Sequence, residues 1–392
     1  LYKPRESRDK VVMPRVIDDL RFALNNIREA DGDLQVNRFV AAAMISQRML
    51  REGTFLKYHN INQDMARNCL QLAKEACEVV INSGKYSLAP DYASLFSSED
   101  LASNPEVILY KRYIDTKGGH SVLNYNYLQP QAGPNRDFAD SYLAADGRPV
   151  YAVDPNFCPK TAEEYFSNRD PRLGLTIRAD KYYIAGEDVA GAAYSRSGFS
   201  LCKYMDRSKE GTTDLIYTGN AKNTTDCPQY RLGQVLVDYA EICYELGALN
   251  QGVLDRSINV LRARKCVGMP ALQIIGDQPA VNGQVYDDPK RDPDVPAMLW
   301  EIRRERRVEL AFEGSRLDDL KRWRKLTYLW CEYNPNIATG AWIDYADFAK
   351  ADKSKAILPA GETSGYLIVT TAANQRPAPQ RSEEHTSELQ SL

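Results

Sequence analysis

Residues 302–323 constrain the fold of this chain more than any other segment. They read IRRERRVELAFEGSRLDDLKRW. Apolar residues recur in this run at helical spacing, so the pattern predicts one helix over residues 296–325. The run has too many charges for an ordinary core helix and too many apolar residues for a solvated one. We therefore predict a buried helix whose charges are paired within the protein.

The carboxylates of this segment are spaced to act together. Glu305, Glu309 and Glu313 stand four residues apart, which places them on one helical face. Arginine pairs with carboxylate and lowers its pKa, whereas a general acid needs a raised pKa. No catalytic residue is therefore predicted, and a glycoside hydrolase is the less favoured reading. We expect a structural ion-pair network of Glu305, Arg306, Arg307, Glu309, Glu313 and Arg316.

Other segments show helical periodicity in pairs. Helices are predicted at residues 14–30, 36–52, 63–82, 229–247 and 251–265. Gly53 follows the second of them, where a glycine commonly ends a helix. Such pairs favour a mainly α fold, with tetratricopeptide-like helical hairpins in an α-α superhelix and long irregular loop insertions. Unrelated antiparallel helix pairs are the alternative.

The chain divides into segments of different character. Residues 1–90 are predicted to form an N-terminal helical part, and residues 229–380 a C-terminal helical region. Between them, residues 91–228 are loop-rich, with frequent Pro, Gly, Asn and Asp. Long loops usually carry function, so this region is expected to face a ligand. Residues 381–392 resemble the translation of a sequencing adapter and are excluded from the fold.

Composition narrows the functional classes. A net charge of −3 gives no sign of nucleic-acid binding. Eight cysteines without CxxC pairs, beside only three histidines, predict no metal site, and no cofactor is predicted. Cys69 and Cys243 fall on apolar helical faces, which predicts that they are buried. No run approaches the roughly 18–20 apolar residues of a membrane span.

Tyrosine is the unusual residue type, with 24 Tyr against 10 Phe and 4 Trp. Tyrosine offers a flat apolar face and a hydroxyl, which suits recognition surfaces. For each tyrosine, the alternative is that it anchors a loop to the helical body. The candidate ligand-binding residues, chosen by chemistry within the loop-rich region, are Tyr125, Tyr127, Arg136, Asp137, Tyr142, Tyr182, Tyr183 and Tyr194.

Several ordered motifs resemble one protein family. Residues 305–310, 312–314 and 319–323 are similar to the C-terminal signature of the SusD/RagB family. Six other segments resemble motifs of this family in the same order. They are residues 92–96, 104–108, 170–173, 198–204, 230–247 and 259–264.

The resemblance implies a fold, a cellular location and a partner protein. It implies tetratricopeptide-like helices in a surface-exposed outer-membrane lipoprotein of the Bacteroidota. The implied function is nutrient binding without catalysis, with an oligosaccharide or peptide ligand and a SusC-like TonB-dependent transporter as partner. The chain starts at Leu1, so the lipid-bearing cysteine is expected in a missing upstream part. An intracellular helical-repeat scaffold that binds protein is the alternative, and an upstream secretion signal would exclude it.

Overall fold

Helices dominate the computed structural model, which describes residues 6–30, 32, 34–114, 118–123, 126, 133–178, 195, 197–209, 221–347 and 358–369. The helices are α1 Met13–Asn26, α2 Arg38–Tyr58, α3 Gln63–Asn82, α4 Ser94–Ser97, α5 Arg136–Asp140, α6 Val150–Val153, α7 Ala162–Phe166, α8 Arg172–Thr176, α9 Leu232–Glu245, α10 Gln251–Asp255, α11 Ile258–Arg262, α12 Ala297–Glu309 and α13 Arg316–Arg322. The strands are β1 Val107–Lys111, β2 Cys227–Arg231, β3 Gln273–Ile275, β4 Gln278–Val281, β5 Gln284–Val285, β6 Thr339–Asp344 and β7 Ser364–Ile368.

The α2–α3 hairpin forms one wall of the main apolar core. Asparagine starts both helices: the Asn37 side chain accepts from the amide of Val40, and that of Asn62 from the amide of Met65. The predicted bounds of α3 are confirmed, and Cys69 and Cys243 are buried, as predicted. This core, with α9 packed on the hairpin, confirms the mainly α, tetratricopeptide-like prediction.

Gly53 does not end α2, so that part of the prediction was wrong. The helix continues to Tyr58. A Cβ atom at Gly53 would lie 2.7 Å from the Leu70 side chain and 2.9 Å from the Ala66 carbonyl oxygen. The glycine therefore lets α2 and α3 approach closely, and the sequence signal for a helix end reflected this packing instead.

The helix α9 lies at the centre of the fold. It is buried on nearly every side, including the carboxylates of Asp238 and Glu241. The predicted helix at 229–247 begins as β2, whose residues pair antiparallel with β1 of the loop-rich region. The predicted helix at 251–265 is two short helices, because the backbone at Ser257 departs from helical angles.

The charged segment is also two helices and not one. The helix α12 ends at Glu309, and α13 starts at Arg316. Between them the backbone turns through positive φ at Phe312 (60°) and Gly314 (83°). A left-handed glycine commonly terminates a helix, and a left-handed Phe is uncommon. The periodicity across 302–323 therefore concealed a turn.

Small antiparallel sheets attach the irregular regions to the helices. β3, β4 and β5 form one, and β6 pairs with β7 in another. The Ala341 amide of β6 donates to the Ser197 carbonyl at 2.7 Å, which joins this hairpin to the loop-rich region. A Cβ atom at Gly340 would lie 2.1 Å from that carbonyl oxygen, so the contact requires glycine. Within the described residues, no helix is long and apolar enough to cross a membrane.

Candidate functional site

Glu309, the last residue of α12, lies at the centre of a buried ion cluster. Its carboxylate accepts hydrogen bonds from Arg231 at 2.7 Å, and from Arg264 and Arg172 at 3.1 Å each. Glu309 is 0% exposed. Burial raises the pKa of Glu309, but the three guanidinium charges outweigh it and hold the pKa far below its ordinary value. The carboxylate is therefore held ionised.

The same arginines bind further carboxylates. Arg231 donates to Glu106 at 2.9 Å and to Glu313 at 2.8 and 2.9 Å. Arg264 also donates to Glu106, and Arg172 donates to Glu305 at 2.6 Å. We call this set the Glu309 cluster. It consists of Glu106, Asp170, Arg172, Lys203, Arg231, Arg262, Arg264, Glu305, Glu309 and Glu313.

A second buried cluster joins α9, α12 and α13. Arg322 donates to both oxygens of Glu241 at 2.6 Å, which is the bidentate geometry that guanidinium favours. Arg306 donates to Asp319 at 2.9 Å and also to Asp238. All five side chains are at most 4% exposed. The polar side of α9 is therefore filled by arginines of the charged segment.

The residues predicted for the ion-pair network occupy different places. Glu305, Glu309 and Glu313 belong to the Glu309 cluster, and Arg306 to the second cluster. Arg307 instead points away from both and pairs with Asp137 at 2.5 Å. Arg316 makes no ion pair or hydrogen bond with any described residue; its guanidinium lies 5.8 Å from the ring centre of Trp323.

A cleft of about 880 Å³ opens beside the C-terminal end of α12. This size suits a small-molecule ligand, since such sites usually measure about 300–1,000 Å³. Its walls come from α5, residues 288–293, residues 310–320 and residues 328–337. The turn between α12 and α13 thus lies on the cleft, and the ion clusters hold the backbone behind it.

One wall of the cleft is a row of aromatic rings. Tyr328 and Tyr333 stack with centroids 5.6 Å apart and planes 19° apart. Trp300 meets Tyr328 edge-on at 6.2 Å. The Tyr328 hydroxyl donates to Asp292, and the Trp300 indole N–H donates to Asp288 at 2.9 Å. The two inner rings are therefore fixed by hydrogen bonds, while Tyr333 remains 50% exposed.

Exposed apolar side chains gather at this cleft. Phe312 is 43% exposed, Leu317 51% and Leu329 48%, and all three line it together with Tyr333. Phe312 holds a left-handed backbone, which costs a non-glycine residue on the order of 1–3 kcal/mol. A contiguous exposed apolar surface of this kind is typical of a ligand-binding site.

Polar groups also line the cleft, and we call them the polar wall. Asp137 accepts from Arg307 at 2.5 Å and from Asn334 at 2.7 Å. Burial raises the pKa of Asp137, but the charge of Arg307 and these bonds lower it below its ordinary value. Arg316, the first residue of α13, also lines this wall. Burial and the charge of Arg307 lower the pKa of Arg316 to about 9, so the guanidinium is still a cation at neutral pH.

Of the predicted ligand-binding residues, the structure brings Asp137 to the cleft. Arg136 turns away and lies 3.6 Å from the Tyr366 ring centre, beside Asp140. Tyr142 is 0% exposed and packs on Phe138, so its ring belongs to the core. The remaining candidates lie outside the described residues. They are Tyr125, Tyr127, Tyr182, Tyr183 and Tyr194.

Sequence reasoning missed the aromatic wall. Trp300 was counted in the charged helix, and Tyr328 and Tyr333 follow the segment on which the prediction concentrated. A signal was present, because residues 328–336 combine aromatic residues with an Asn-Pro-Asn turn. The sequence does not show that residues 288–293 approach residues 328–336, because α12 and α13 separate the two segments along the chain.

Comparison with known proteins gives one family. The model of the SusD family matches residues 105–382. No curated protein matches the chain.

Solved structures share the fold. A SusD-like carbohydrate-binding protein of Bacteroides fragilis NCTC 9343 has a TM-score of 0.62 and 22% identity, over 96% of this chain and 70% of that one. A second SusD-like protein of this organism has a TM-score of 0.55 and 20% identity, over 82% and 61%. A third protein, crystallised with a xylogluco-oligosaccharide, has a TM-score of 0.55 and 18% identity, over 94% and 69%.

Proposed function

This chain belongs to the SusD family, and from that premise we propose that it binds oligosaccharides in the cleft beside α12. The aromatic wall is the observation that carries the proposal. Two stacked tyrosines, of which Tyr333 is half exposed, offer a flat apolar surface to a sugar ring. The solved relatives support the choice of ligand, since one is described as a carbohydrate-binding protein and another was crystallised with an oligosaccharide.

The polar wall supplies what a sugar needs besides an apolar face. Asp137, Asn334 and Arg307 hold one another in place by hydrogen bonds, so their remaining polar atoms are preorganised for hydroxyl groups. Preorganised groups lose little entropy when a ligand binds. The cleft thus combines a rigid stacking surface with oriented donors and acceptors.

Replacing Tyr333 with alanine should weaken oligosaccharide binding about tenfold, or about 1.4 kcal/mol. The ring is half exposed on the cleft wall, so its loss removes stacking area without opening the core. Titration calorimetry with xylogluco-oligosaccharide and a panel of other neutral and acidic oligosaccharides would measure the change.

The matched control is Phe22→Ala on α1. Phe22 is an aromatic residue 69% exposed, and it does not line the cleft. This variant should bind as the unaltered protein does. Equal affinity of the Tyr333→Ala variant and the control for every ligand bound would place the binding site elsewhere.

We further propose that the protein acts at the cell surface, as a lipid-anchored outer-membrane protein that delivers its ligand to a SusC-like TonB-dependent transporter. The support is membership of the family. A peptide ligand is the alternative within this role. An intracellular protein-binding scaffold is the alternative outside it.

The transporter proposal predicts a stable partner in the membrane. Purification of the full-length protein from solubilised outer membranes of its host should recover a TonB-dependent transporter in about equal amount, identified by mass spectrometry. A tagged unrelated lipoprotein from the same membranes is the control. Recovery of the protein from the cytosol alone, without a transporter, would favour the intracellular scaffold.

We propose a binding role without catalysis. The carboxylates of α12 and the following turn are each bound by arginine or lysine. The pKa values of Glu309 and Glu313 are lowered by these charges although burial opposes them. Held ionised, these two groups are unsuited to donate a proton to a glycosidic oxygen.

A further inference from the structure

The charged side chains that line the cleft are not all paired. Five carboxylates line it, and each has a cationic partner within 4 Å. The pairs are Asp137–Arg307, Asp140–Arg136, Asp288–Arg304, Asp292–Lys325 and Asp319–Arg306. The cleft therefore presents no free carboxylate among the residues that the structure describes.

Two cationic side chains of the cleft have no ion-pair partner among the described residues. Arg291 is paired with Asp287, and Arg304 and Arg307 with the aspartates above. Lys290 and Arg316 line the same cleft, and neither side chain makes an ion pair or a hydrogen bond within the described part of the chain. Lys290 lies over the Tyr151 ring at 5.0 Å, and Arg316 near that of Trp323. Aromatic faces attract a cation but do not neutralise it.

Arg316 is the more informative of the two. An exposed lysine is ordinary, whereas Arg316 is partly buried and stands beside the positive charge of Arg307. Burial and this neighbour lower the pKa of Arg316 to about 9, which means that its surroundings disfavour the positive charge it carries. Asp137 and Asp319 offset only part of this effect on the pKa, and an anion bound beside Arg316 would add to the compensation.

We propose that the cleft is specific for acidic oligosaccharides, with the anionic group of a sugar bound by Arg316, its ring stacked on Tyr333, and Lys290 as a further unpaired positive charge of the cleft. This inference rests on the proposed glycan-binding function and names its ligand class. The planar fork of a guanidinium matches the two oxygens of a carboxylate, so a hexuronate is the sugar that fits best. A sulfate ester presents the same chemistry and is the other source of the charge.

The test compares ligands that differ only in charge. Oligomers of galacturonate, mannuronate and glucuronate would each be titrated beside the same oligomer with its carboxyl groups reduced to alcohols. Keratan sulfate oligomers, which carry sulfate but no uronate, would separate the two sources of charge. The acidic form should bind at least tenfold more tightly than its reduced form for one or more of these sugars. The advantage should shrink at about 1 M salt, where charges are screened beyond roughly 3 Å.

The matched variant is Arg316→Gln, which keeps a hydrogen-bonding side chain and removes the charge. Because Arg316 has no ion pair to lose and its surroundings disfavour its charge, the variant should unfold at the same temperature as the unaltered protein or at a higher one. It should bind the acidic form about tenfold more weakly and the reduced form equally well. Arg316→Lys, which keeps the charge without the fork, should recover part of the affinity. Arg21→Gln on α1 is the control, because the Arg21 side chain is 43% exposed, is paired with Glu75 and does not line the cleft.

The outcomes separate this inference from the proposed function. Tight binding that is equal for acidic and reduced oligomers would overturn the acidic specificity and leave glycan binding intact. An unchanged preference in the Arg316→Gln variant would also overturn the assignment. Binding of keratan sulfate with the same dependence on Arg316 would support the inference and identify sulfate as the anion. Failure to bind any acidic, reduced or neutral oligosaccharide would overturn the proposed function and this inference together.

Discussion

Replacing Glu309 with glutamine should lower the free energy of unfolding by about 3–5 kcal/mol. Glutamine keeps the size of the side chain but removes the charge that Arg172, Arg231 and Arg264 share. The Glu309 cluster would then hold five cations and four carboxylates, so one buried positive charge would be uncompensated. Removing one partner of a buried ion pair is costly. The expected loss is a large part of the roughly 5–15 kcal/mol that stabilises a typical protein. Urea unfolding followed by tryptophan fluorescence would measure it.

The control for this variant is Glu75→Gln on α3. Glu75 pairs with Arg21 at 3.5 Å, but both side chains are more than 40% exposed. Exposed ion pairs contribute about 0–1 kcal/mol, so the control should unfold near the urea midpoint of the unaltered protein. A Glu309→Gln variant that unfolded at the same midpoint as Glu75→Gln would show that the arginines are compensated without Glu309.

Acid should unfold the protein cooperatively, and this is the second large effect. The pKa values of Glu309, Glu313, Glu241 and Asp319 are all lowered in the folded state, because neighbouring arginines outweigh the effect of burial. Their stabilisation is fully present above the unfolded carboxyl pKa of about 4. It is lost as the pH falls from there through the lower pKa of the folded state.

Other carboxyl groups oppose this trend. Burial raises the pKa values of Asp238, Glu301 and Asp140, so these groups favour the folded state on acidification. We expect the four carboxyl groups with lowered pKa values to dominate, because they outnumber the three with raised values. The free energy of unfolding should fall by at least about 1.4 kcal/mol per pH unit below about pH 4, the slope for one proton. Urea titrations between about pH 7 and pH 3 would give this slope, and a flat profile would contradict the dominance of the carboxylates with lowered pKa values.

The sequence predicted the helical hairpins well because their signals are local. Helical periodicity and the cap at Asn62 determine α3 between neighbouring residues, and its bounds were predicted correctly. The errors occurred where tertiary packing determines the course of the backbone. Gly53 carries the signal of a helix end but serves close helix packing, and the turn at Phe312 lies within an unbroken periodic pattern.

The charged segment shows which contacts residue spacing predicts and which it does not. The spacing of Glu305, Glu309 and Glu313 pointed to a shared face, and all three lie in one cluster although α12 ends before Glu313. Their partners could not be derived from spacing. Yet they stand in the segments that carried the family resemblance, with Glu106 in 104–108, Arg172 in 170–173, Lys203 in 198–204, Arg231 in 230–247, and Arg262 and Arg264 in 259–264.

The candidate site was harder to predict than the cluster. Asp137 was chosen for its chemistry and reaches the cleft, but the same reasoning chose Tyr142, which is buried. Polarity and aromatic character do not distinguish a ring that faces solvent from one that faces the core. Whether Arg316 is paired depends on which carboxylates fold next to it, and a single sequence does not contain that information.

The Glu309 cluster also sets an order in time for a chain made from its N-terminus. The Tyr92 hydroxyl donates to the Glu309 carbonyl, 217 residues later in the sequence. Synthesis at roughly 5–20 residues per second separates the two by about 10–40 seconds. Until Glu309 is made, Arg172 and Arg231 lack this carboxylate as a partner. The buried ion pairs of the loop-rich region are therefore completed only after α12 has been synthesised.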